Sequence, residues 1–270
     1  MESRRAWICP LRRVAGKIAF DEGGRLDLWR RARCLLKMLT IAHRGASAIY
    51  PENTLRAFIA AAEVGADMCE FDVRMTRDGE VVVIHDATVN RTTDGRGRVA
   101  AMSAMAIGRL DAGVRFGAEF RGEHIPTLSE VAHALTGRCG MDVELKARGV
   151  EVRVCEILRG CGAIESAIVS SFDWDQLKIV ARRERALRLA LLGEKSPSAM
   201  LEAASAMRAF AIAPRFDVAN AALCAEAHRR GLAVYVWTVD DVPTMRRLAA
   251  AGVDAIMTND PKKLRELAAA

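Results

Sequence analysis

The sequence predicts a (β/α)8 barrel, the TIM-barrel class of α/β fold, and three observations carry that prediction. Eight short apolar runs alternate with eight amphipathic stretches through most of the 270 residues. Glycines 65, 137, 162, 231 and 252 stand where five of those stretches end, as helix C-termini require. The alternating body, residues 38–270, approaches the roughly 250 residues typical of such a barrel. An open doubly wound sheet would alternate in the same way, but no GxGxxG follows the first strand.

The first predicted strand is 39–43 (LTIAH), followed by a helix over 53–64. The second, 68–73 (MCEFDV), precedes the one break in the rhythm, an insertion over about 77–125 that is too long for an ordinary strand-to-helix loop. Its start reads as a β-hairpin with Asp78-Gly79 as a two-residue turn. That register sets Arg77 against Glu80, Thr76 against Val81 and Asp72 against His85, returning His85 to the barrel mouth. After the insertion, strands are predicted at 141–145, 167–171, 187–191, 210–213, 233–237 and 254–258. The helices between and after them fall at 127–136, 150–160, 174–185, 197–206, 219–230, 241–251 and 261–269. Pro261 suits a first helical turn, where its missing N–H has no partner to lose.

The formal net charge of +6 is uneven. Residues 1–37 hold eight Arg and two Lys against four acids, which accounts for the whole excess, and residues 38–270 hold bases and acids in equal number. A polyanion-binding surface spread over the body is therefore not implied, and aromatics at 5% are too sparse for a base-stacking platform, so nucleic acid is not an expected partner. The basic arm lacks a signal-peptide layout. We read it as a leader outside the fold, with Met38 as an alternative start. The competing reading takes Leu28, Ala32, Leu35, Leu36 and Leu39, with Arg between them, as an amphipathic helix lying on anionic lipid. No apolar run reaches the roughly 18 residues that span a bilayer. The seven Cys are scattered and never in C-x-x-C, which points to reduced thiols and a cytoplasmic location.

In this barrel class the chemistry sits at the C-terminal ends of the strands. Those ends carry His43 and Arg44, then Glu70 and Asp72, His85 by the hairpin, Glu144 and Lys146, and Trp237. Glu70 and Asp72 share a strand face, as do Asp142, Glu144 and Lys146. Interior carboxylates need compensation, because an unpaired buried charge is very costly. A divalent cation held by Glu70, Asp72 and Glu144 would supply it, and all-oxygen ligation suits Mg²⁺ or Ca²⁺ better than zinc. The alternative is a network of ion pairs with Arg44, Lys146 and protonated histidine. Two histidines at the same rim match general acid–base work, one accepting a proton from the nucleophile and the other donating to the leaving alkoxide. His124, His133 and His228 fall in the insertion or in helices and are read as structural.

The motifs His43-Arg44-Gly45, Pro51-Glu52-Asn53-Thr54, Glu70-Phe71-Asp72-Val73, Thr76-Arg77-Asp78-Gly79 and His85-Asp86 resemble those of the glycerophosphodiester phosphodiesterase family. Arg91-Thr92-Thr93-Asp94-Gly95, Pro126-Thr127-Leu128, Glu144-Leu145-Lys146, Ser171-Phe172, Trp237-Thr238-Val239 and Thr258-Asn259 extend the resemblance in order from about residue 40 to 261. It implies a barrel with a small insertion and metal-dependent hydrolysis of small glycerophosphodiesters to sn-glycerol 3-phosphate and an alcohol. It further implies His43 and His85 as the acid–base pair and Glu70, Asp72 and Glu144 as ligands of the metal. Arg44 and Lys146 would contact phosphate, Phe172 and Trp237 would line the glycerol pocket, and Glu52 and Asn53 would support the site. The family often carries Asn where this chain has Asp240, an added charge that could be a neutral rim change or disfavour anionic head groups. Two other readings are weighed beside this one: phospholipase-D-like action on lysolipids with the arm touching membrane, and a binding barrel without catalysis.

Overall fold

The structure, a computed structural model, describes residues 38–269; the basic arm and the helix considered at its end lie outside the described residues, except for Leu39, which opens the first strand and not a helix. Nine strands form one sheet: β1 (Leu39–His43), β2 (Met68–Met75), β3 (Val81–Val83), β4 (Gly140–Leu145), β5 (Ala167–Ser171), β6 (Arg188–Gly193), β7 (Ala211–Pro214), β8 (Ala233–Val236) and β9 (Ala255–Thr258). All except β3 run parallel, and β1 pairs with both β9 and β2, so eight strands close into a barrel. Helices α1 (Leu55–Glu63), α3 (Leu128–Leu135), α4 (Glu151–Gly160), α5 (Trp174–Arg183), α6 (Pro197–Met207), α7 (Ala221–Arg229), α8 (Val242–Ala251) and α9 (Pro261–Ala269) surround it, and α2 (Ala104–Ile107) belongs to the insertion. The eight-strand, eight-helix expectation holds, and each predicted barrel strand overlaps an observed one.

The two-residue period of the strands divides the core in two. Residues pointing outward, among them Ala42, Cys69, Phe71, Val143, Val169, Leu191, Ile212 and Val234, pack against the helices in a continuous apolar layer. Those pointing inward on the lower strands form a separate apolar plug of Ile41, Met68, Ile168, Ala190, Leu192, Tyr235, Met257 and four further alanines. Higher on β2 and β4 the inward positions turn acidic, with Glu70, Asp72, Asp142 and Glu144 all buried. The barrel thus has a dry floor and a charged mouth.

The hairpin departs from the predicted register by one residue. Val73 pairs with Val83, Arg74 with Val82 and Met75 with Val81, while Thr76 N donates to the Glu80 carbonyl at 2.9 Å. The loop therefore has three residues, Arg77-Asp78-Gly79, closed by a bond from Gly79 N to Thr76 O, with Gly79 at φ +83°. Asp78 has a further task that a two-residue turn would not give it: its carboxylate accepts from Thr76 Oγ1 at 2.6 Å and from Ala104 N at 2.9 Å, fastening the turn to α2. Asp72 consequently lies across from Ile84, whose N–H donates to the Asp72 carbonyl, and His85 follows the end of the ladder. The rest of the insertion folds over its own cluster of Val82, Ile84, Val89, Val99, Ile107, Ala112 and Ile125.

Local signals position the site. Thr54 caps α1 by accepting from Ala57 N, and a reciprocal capping box of Thr127 and Glu130 starts α3. Between β1 and α1 the chain turns so tightly that a Cβ on Gly45 would lie 2.6 Å from the Ala57 carbonyl carbon, and Gly45 itself is at φ +83°. Only glycine fits both demands, and its neighbour Arg44 is also left-handed at φ +55°. Gly45→Ala is therefore expected to destabilise the protein by roughly 2 kcal/mol or more in urea titrations and to depress activity by shifting His43 and Arg44. Wild-type stability in that variant would contradict the close approach.

Candidate active site at the barrel mouth

Strand pairing assembles the acids. His43 is in register with Glu70 across β1 and β2, while Glu70 meets Asp142 and Asp72 meets Glu144 across β2 and β4. Oxygens of Glu70, Asp72 and Glu144 lie within 4.8 Å of one another. Glu70 Oε1 and Asp72 Oδ1 are buried and accept no hydrogen bond. Three converging carboxylates with unfilled acceptor oxygens match what a hard divalent cation requires, so these residues could hold one. Burial and the neighbouring charges of Asp72 and Glu144 push the Glu70 carboxyl well above its usual range, and burial with Asp72 raises Glu144 to about 7. Asp72 goes the other way: burial opposes its ionisation, but Arg44, Lys146 and His85 together hold its pKa below the ordinary value. Beside Glu70, Asp142 accepts from Ser170 Oγ at 2.6 Å and is raised to about 6, mainly by burial.

Two cations reach into this cluster. The left-handed turn at Arg44 aims its backbone N–H at Glu70 Oε2 (3.0 Å) and its guanidinium at Glu52 (Nη1 to Oε1, 2.9 Å), with Nε 3.2 Å from Asp72 Oδ2 at ion-pair distance but outside hydrogen-bond geometry. Lys146 Nζ donates to Glu144 Oε1 at 2.7 Å and lies 3.4 Å from Asp72 Oδ1. Asn53, also left-handed, donates Nδ2 to Asp72 Oδ2 at 2.9 Å. The ion pairs of Arg44 and Lys146 weighed in the sequence are thus present, and they leave carboxylate oxygens unfilled where a cation could bind.

The two rim histidines are held alike. His43 Nδ1 lies 2.6 Å from Asn259 Oδ1, and its Nε2 faces Glu70 Oε2 at 4.0 Å. His85 Nδ1 lies 2.7 Å from Asp86 Oδ1. A carboxylate only accepts, so Nδ1 of neutral His85 carries the hydrogen and Nε2 keeps its lone pair. Burial lowers the pKa of both imidazoles, with Arg44 adding to the effect at each, so the neutral form is favoured at neutral pH. Phe172 and Trp237 meet edge to face at 5.3 Å, with Lys146 Nζ 5.7 Å from the Phe172 ring, and Trp237 Nε1 donates to Ala213 O. Phe172 is 44% exposed, an apolar surface open at the rim. All eleven residues singled out in the sequence therefore stand at one end of the barrel. The other histidines are engaged elsewhere: His228 with Asp254, His133 with Ser129 O, and His124 beside Glu130.

Sequence reasoning quoted Asp86 and Arg91 as motif residues and gave them no role. Arg91 reaches from the insertion to both sides of the mouth, donating to Glu52 through Nη1 and Nη2 (2.7 and 2.8 Å) and to Asp86 through Nε (2.8 Å). The bond from Arg91 leads in depressing Asp86, followed by that from His85; Glu52 is lowered against its own burial by Arg91 and Arg44. A carboxylate beside a histidine, followed at i+5 by an arginine, was the available signal. Arg74, with Nε on the His85 carbonyl (2.8 Å) and Nη1 on the Lys146 carbonyl (3.0 Å), gave none, because its partners are backbone atoms.

Because the folded pKa values of Asp86 and Glu52 are depressed, the stability they confer is fully present above their unfolded values, near pH 4, and is lost as pH falls through the folded ones. Arg91→Ala is expected to cost about 1 kcal/mol at neutral pH, roughly 2–4 °C in Tm, the pairs being partly exposed. The gap from wild type should close in melts taken progressively below pH 4. A gap that persists undiminished at pH 3 would mean that Arg91 acts by packing.

Residues 43–263 match the Glycerophosphoryl diester phosphodiesterase family. A glycerophosphodiester phosphodiesterase of Caldanaerobacter subterraneus subsp. tengcongensis is 38% identical over 238 residues, covering 86% of this chain and 98% of the relative. Among solved structures, an Oleispira antarctica phosphodiesterase in complex with the product sn-glycerol-3-phosphate superposes with TM-score 0.82 at 26% identity, covering 88% of this chain and 99% of that one. A glycerophosphodiester phosphodiesterase from Agrobacterium tumefaciens gives TM-score 0.77 at 31% identity over 86% of this chain and all of its own. With the family matched across nearly the whole barrel and the relatives spanned almost end to end, the chain belongs to the glycerophosphoryl diester phosphodiesterase family of enzymes.

Proposed function

We propose that the protein hydrolyses small glycerophosphodiesters to sn-glycerol 3-phosphate and an alcohol, with Mg²⁺ or Ca²⁺ held by Glu70, Asp72 and Glu144 and with His43 and His85 as the acid–base pair. The observation that carries this reading is the matched state of the two imidazoles. Each has Nδ1 against an oxygen, Asn259 Oδ1 or Asp86 Oδ1, and each is favoured neutral, beside a carboxylate cluster with unfilled oxygens. Orienting both rings through Nδ1 reserves Nε2 for proton transfer.

When bound, the cation polarises a phosphoryl oxygen and offsets the clustered carboxylates. Arg44 and Lys146 orient the phosphate, their charges already aimed into the mouth. One imidazole Nε2 takes the proton of the attacking hydroxyl, either from water or from the adjacent hydroxyl of the substrate's own glycerol, which gives a cyclic phosphate that water then opens to glycerol 3-phosphate. The other acts from its imidazolium form, having taken a proton from solvent at Nε2 while Nδ1 stays on its oxygen partner. It hands that Nε2 proton to the departing alkoxide and returns to the neutral form. Phe172 and Trp237 present an apolar corner to the carbon skeleton of glycerol. Glu52 and Asn53 fix Arg44 and Asp72. The basic arm, residues 1–37, is a leader that this chemistry does not need, and the enzyme works in the cytoplasm.

Hydrolysis of glycerophosphocholine and glycerophosphoethanolamine, coupled to detection of glycerol 3-phosphate, tests the reading. His43→Ala and His85→Ala should each lower kcat by roughly 10²-fold or more. EDTA should abolish turnover, and Mg²⁺ or Ca²⁺ should raise the Tm of wild type but not of Glu70→Gln. Full activity in EDTA removes the metal from the proposal, and near-normal turnover in both histidine variants removes the acid–base pair. Lysophosphatidylcholine in vesicles provides the competing arm: a higher kcat/KM there, lost on deleting residues 1–37, would make the arm a membrane anchor and the substrate a lysolipid.

A further inference from the structure

Asn259, the residue on which His43 Nδ1 rests, has an ambiguous side chain. Its oxygen and nitrogen are alike in shape, and either could face the imidazole. If the oxygen faces His43, Nδ1 must carry the hydrogen and Nε2 is a base. If the nitrogen does, the tautomer reverses and Nε2 carries the hydrogen. Something else must decide, and the neighbour that decides is Asp240, just past β8.

Both oxygens of Asp240 are engaged by the loop that follows β9. Oδ1 accepts from Thr258 Oγ1 at 2.9 Å and from Asn259 N at 2.8 Å, and Oδ2 accepts from Asn259 Nδ2 at 2.6 Å. A carboxylate offers no donor, so the group of Asn259 that meets Asp240 can only be its NH₂. The amide oxygen is thereby turned the other way, to His43 Nδ1 at 2.6 Å, with Ser47 Oγ beside it at 2.9 Å. The chain of logic runs from charge to amide orientation to tautomer. The charge that the sequence placed at the rim without a task is directed into this loop.

We propose that Asp240 is a positioning residue: by accepting from Asn259 it fixes the amide orientation that keeps the hydrogen on His43 Nδ1 and leaves Nε2 as the proton-transfer atom. The proposal rests on His43 acting in catalysis, but its structural half can be read separately. Asp240→Asn keeps the shape and removes the charge. The introduced amide must keep its oxygen toward the Asn259 N–H, which turns its NH₂ onto the Asn259 NH₂. The Asn259 side chain then escapes by rotating, and presents NH₂ to His43. The double variant Asp240→Asn/Asn259→Asp exchanges the two side chains and restores every donor–acceptor pair, with a carboxylate now receiving the His43 Nδ1 hydrogen. Asn259→Asp alone sets two carboxylates face to face.

The test measures kcat and KM on glycerophosphocholine for the wild type, both single variants and the double variant. Histidine tautomers are read from long-range ¹H–¹⁵N correlations in ¹⁵N-histidine-labelled protein, with His43 assigned through His43→Gln. Asp240→Asn is expected to lower kcat roughly 10²-fold with little change in KM and to move the His43 hydrogen to Nε2. The double variant is expected to regain most of that loss and the original tautomer, a strongly non-additive cycle. Wild-type kcat and tautomer in Asp240→Asn overturn the proposal. So does a double variant no better than the product of the singles, which would make Asp240 a support for the loop alone. If either single variant fails to fold, the double variant still decides, because only the pairing scheme predicts its recovery. Full activity in His43→Gln, with the tautomer still reversed in Asp240→Asn, would leave the relay standing and remove His43 from the mechanism.

Discussion

Four carboxylates buried at the mouth of one barrel impose the constraint that shapes everything around them. Glu70, Asp72, Asp142 and Glu144 occupy inward positions of two adjacent strands, and register alone sets them side by side. Like charges in a region of low dielectric repel strongly, and each must be protonated, hydrogen-bonded or matched with a cation. The structure uses all three answers at different residues. Asp142, in register with Glu70, accepts a hydrogen bond from Ser170 and is shifted toward neutrality. Asp72 is the point where Arg44, Lys146 and Asn53 converge, and it remains the firm anion. Glu70 and Glu144 are left with raised pKa values and, at Glu70, an oxygen that nothing in the protein fills.

The floor makes that arrangement effective. Below the acids the barrel is plugged by apolar side chains, with Tyr235 the bulkiest among many alanines. Small residues on β6 to β9 stand beside the larger Ile41, Met68, Ile168, Leu192, Tyr235 and Met257 in one buried apolar cluster. The same dryness that makes a lone charge costly strengthens each remaining contact. Around the rim a second ring of charge, Glu52, Arg91 and Asp86, ties the insertion to the ends of the strands. Arg74 ties it from within by carbonyl contacts to both His85 and Lys146.

How far the sequence revealed this depends on whether the signal was local. The barrel strands and their acids were legible because alternation and strand ends are properties of short windows, and every site residue chosen lies at the mouth. The hairpin register was misjudged because Asp78-Gly79 is compatible with two loop lengths; the choice was made by Asp78 binding Ala104, twenty-six residues on. Phe172 came only through the family resemblance, and Trp237, though read off a strand end, took its role from there, since an aromatic at the end of a strand is as common in a core as in a pocket. The link from Asp240 to Asn259 was hidden for another reason. Each residue was noticed singly, but the pairing of β8 with β9 brings them together, and nothing in either segment announces it.

The bond between His43 and Asn259 spans 216 residues, from the first strand of the barrel to the loop after the last. Most charged groups of the mouth are contributed by β1 to β4 and their loops, and so are in place early along the chain. The support for His43 is contributed last, across the β1–β9 seam that closes the cylinder. The orientation of His43 thus depends on closure of the ring, whereas that of His85 is set locally by Asp86. Closing the barrel and seating His43 are therefore one event in the geometry, because β9 and the loop that follows it supply both contacts.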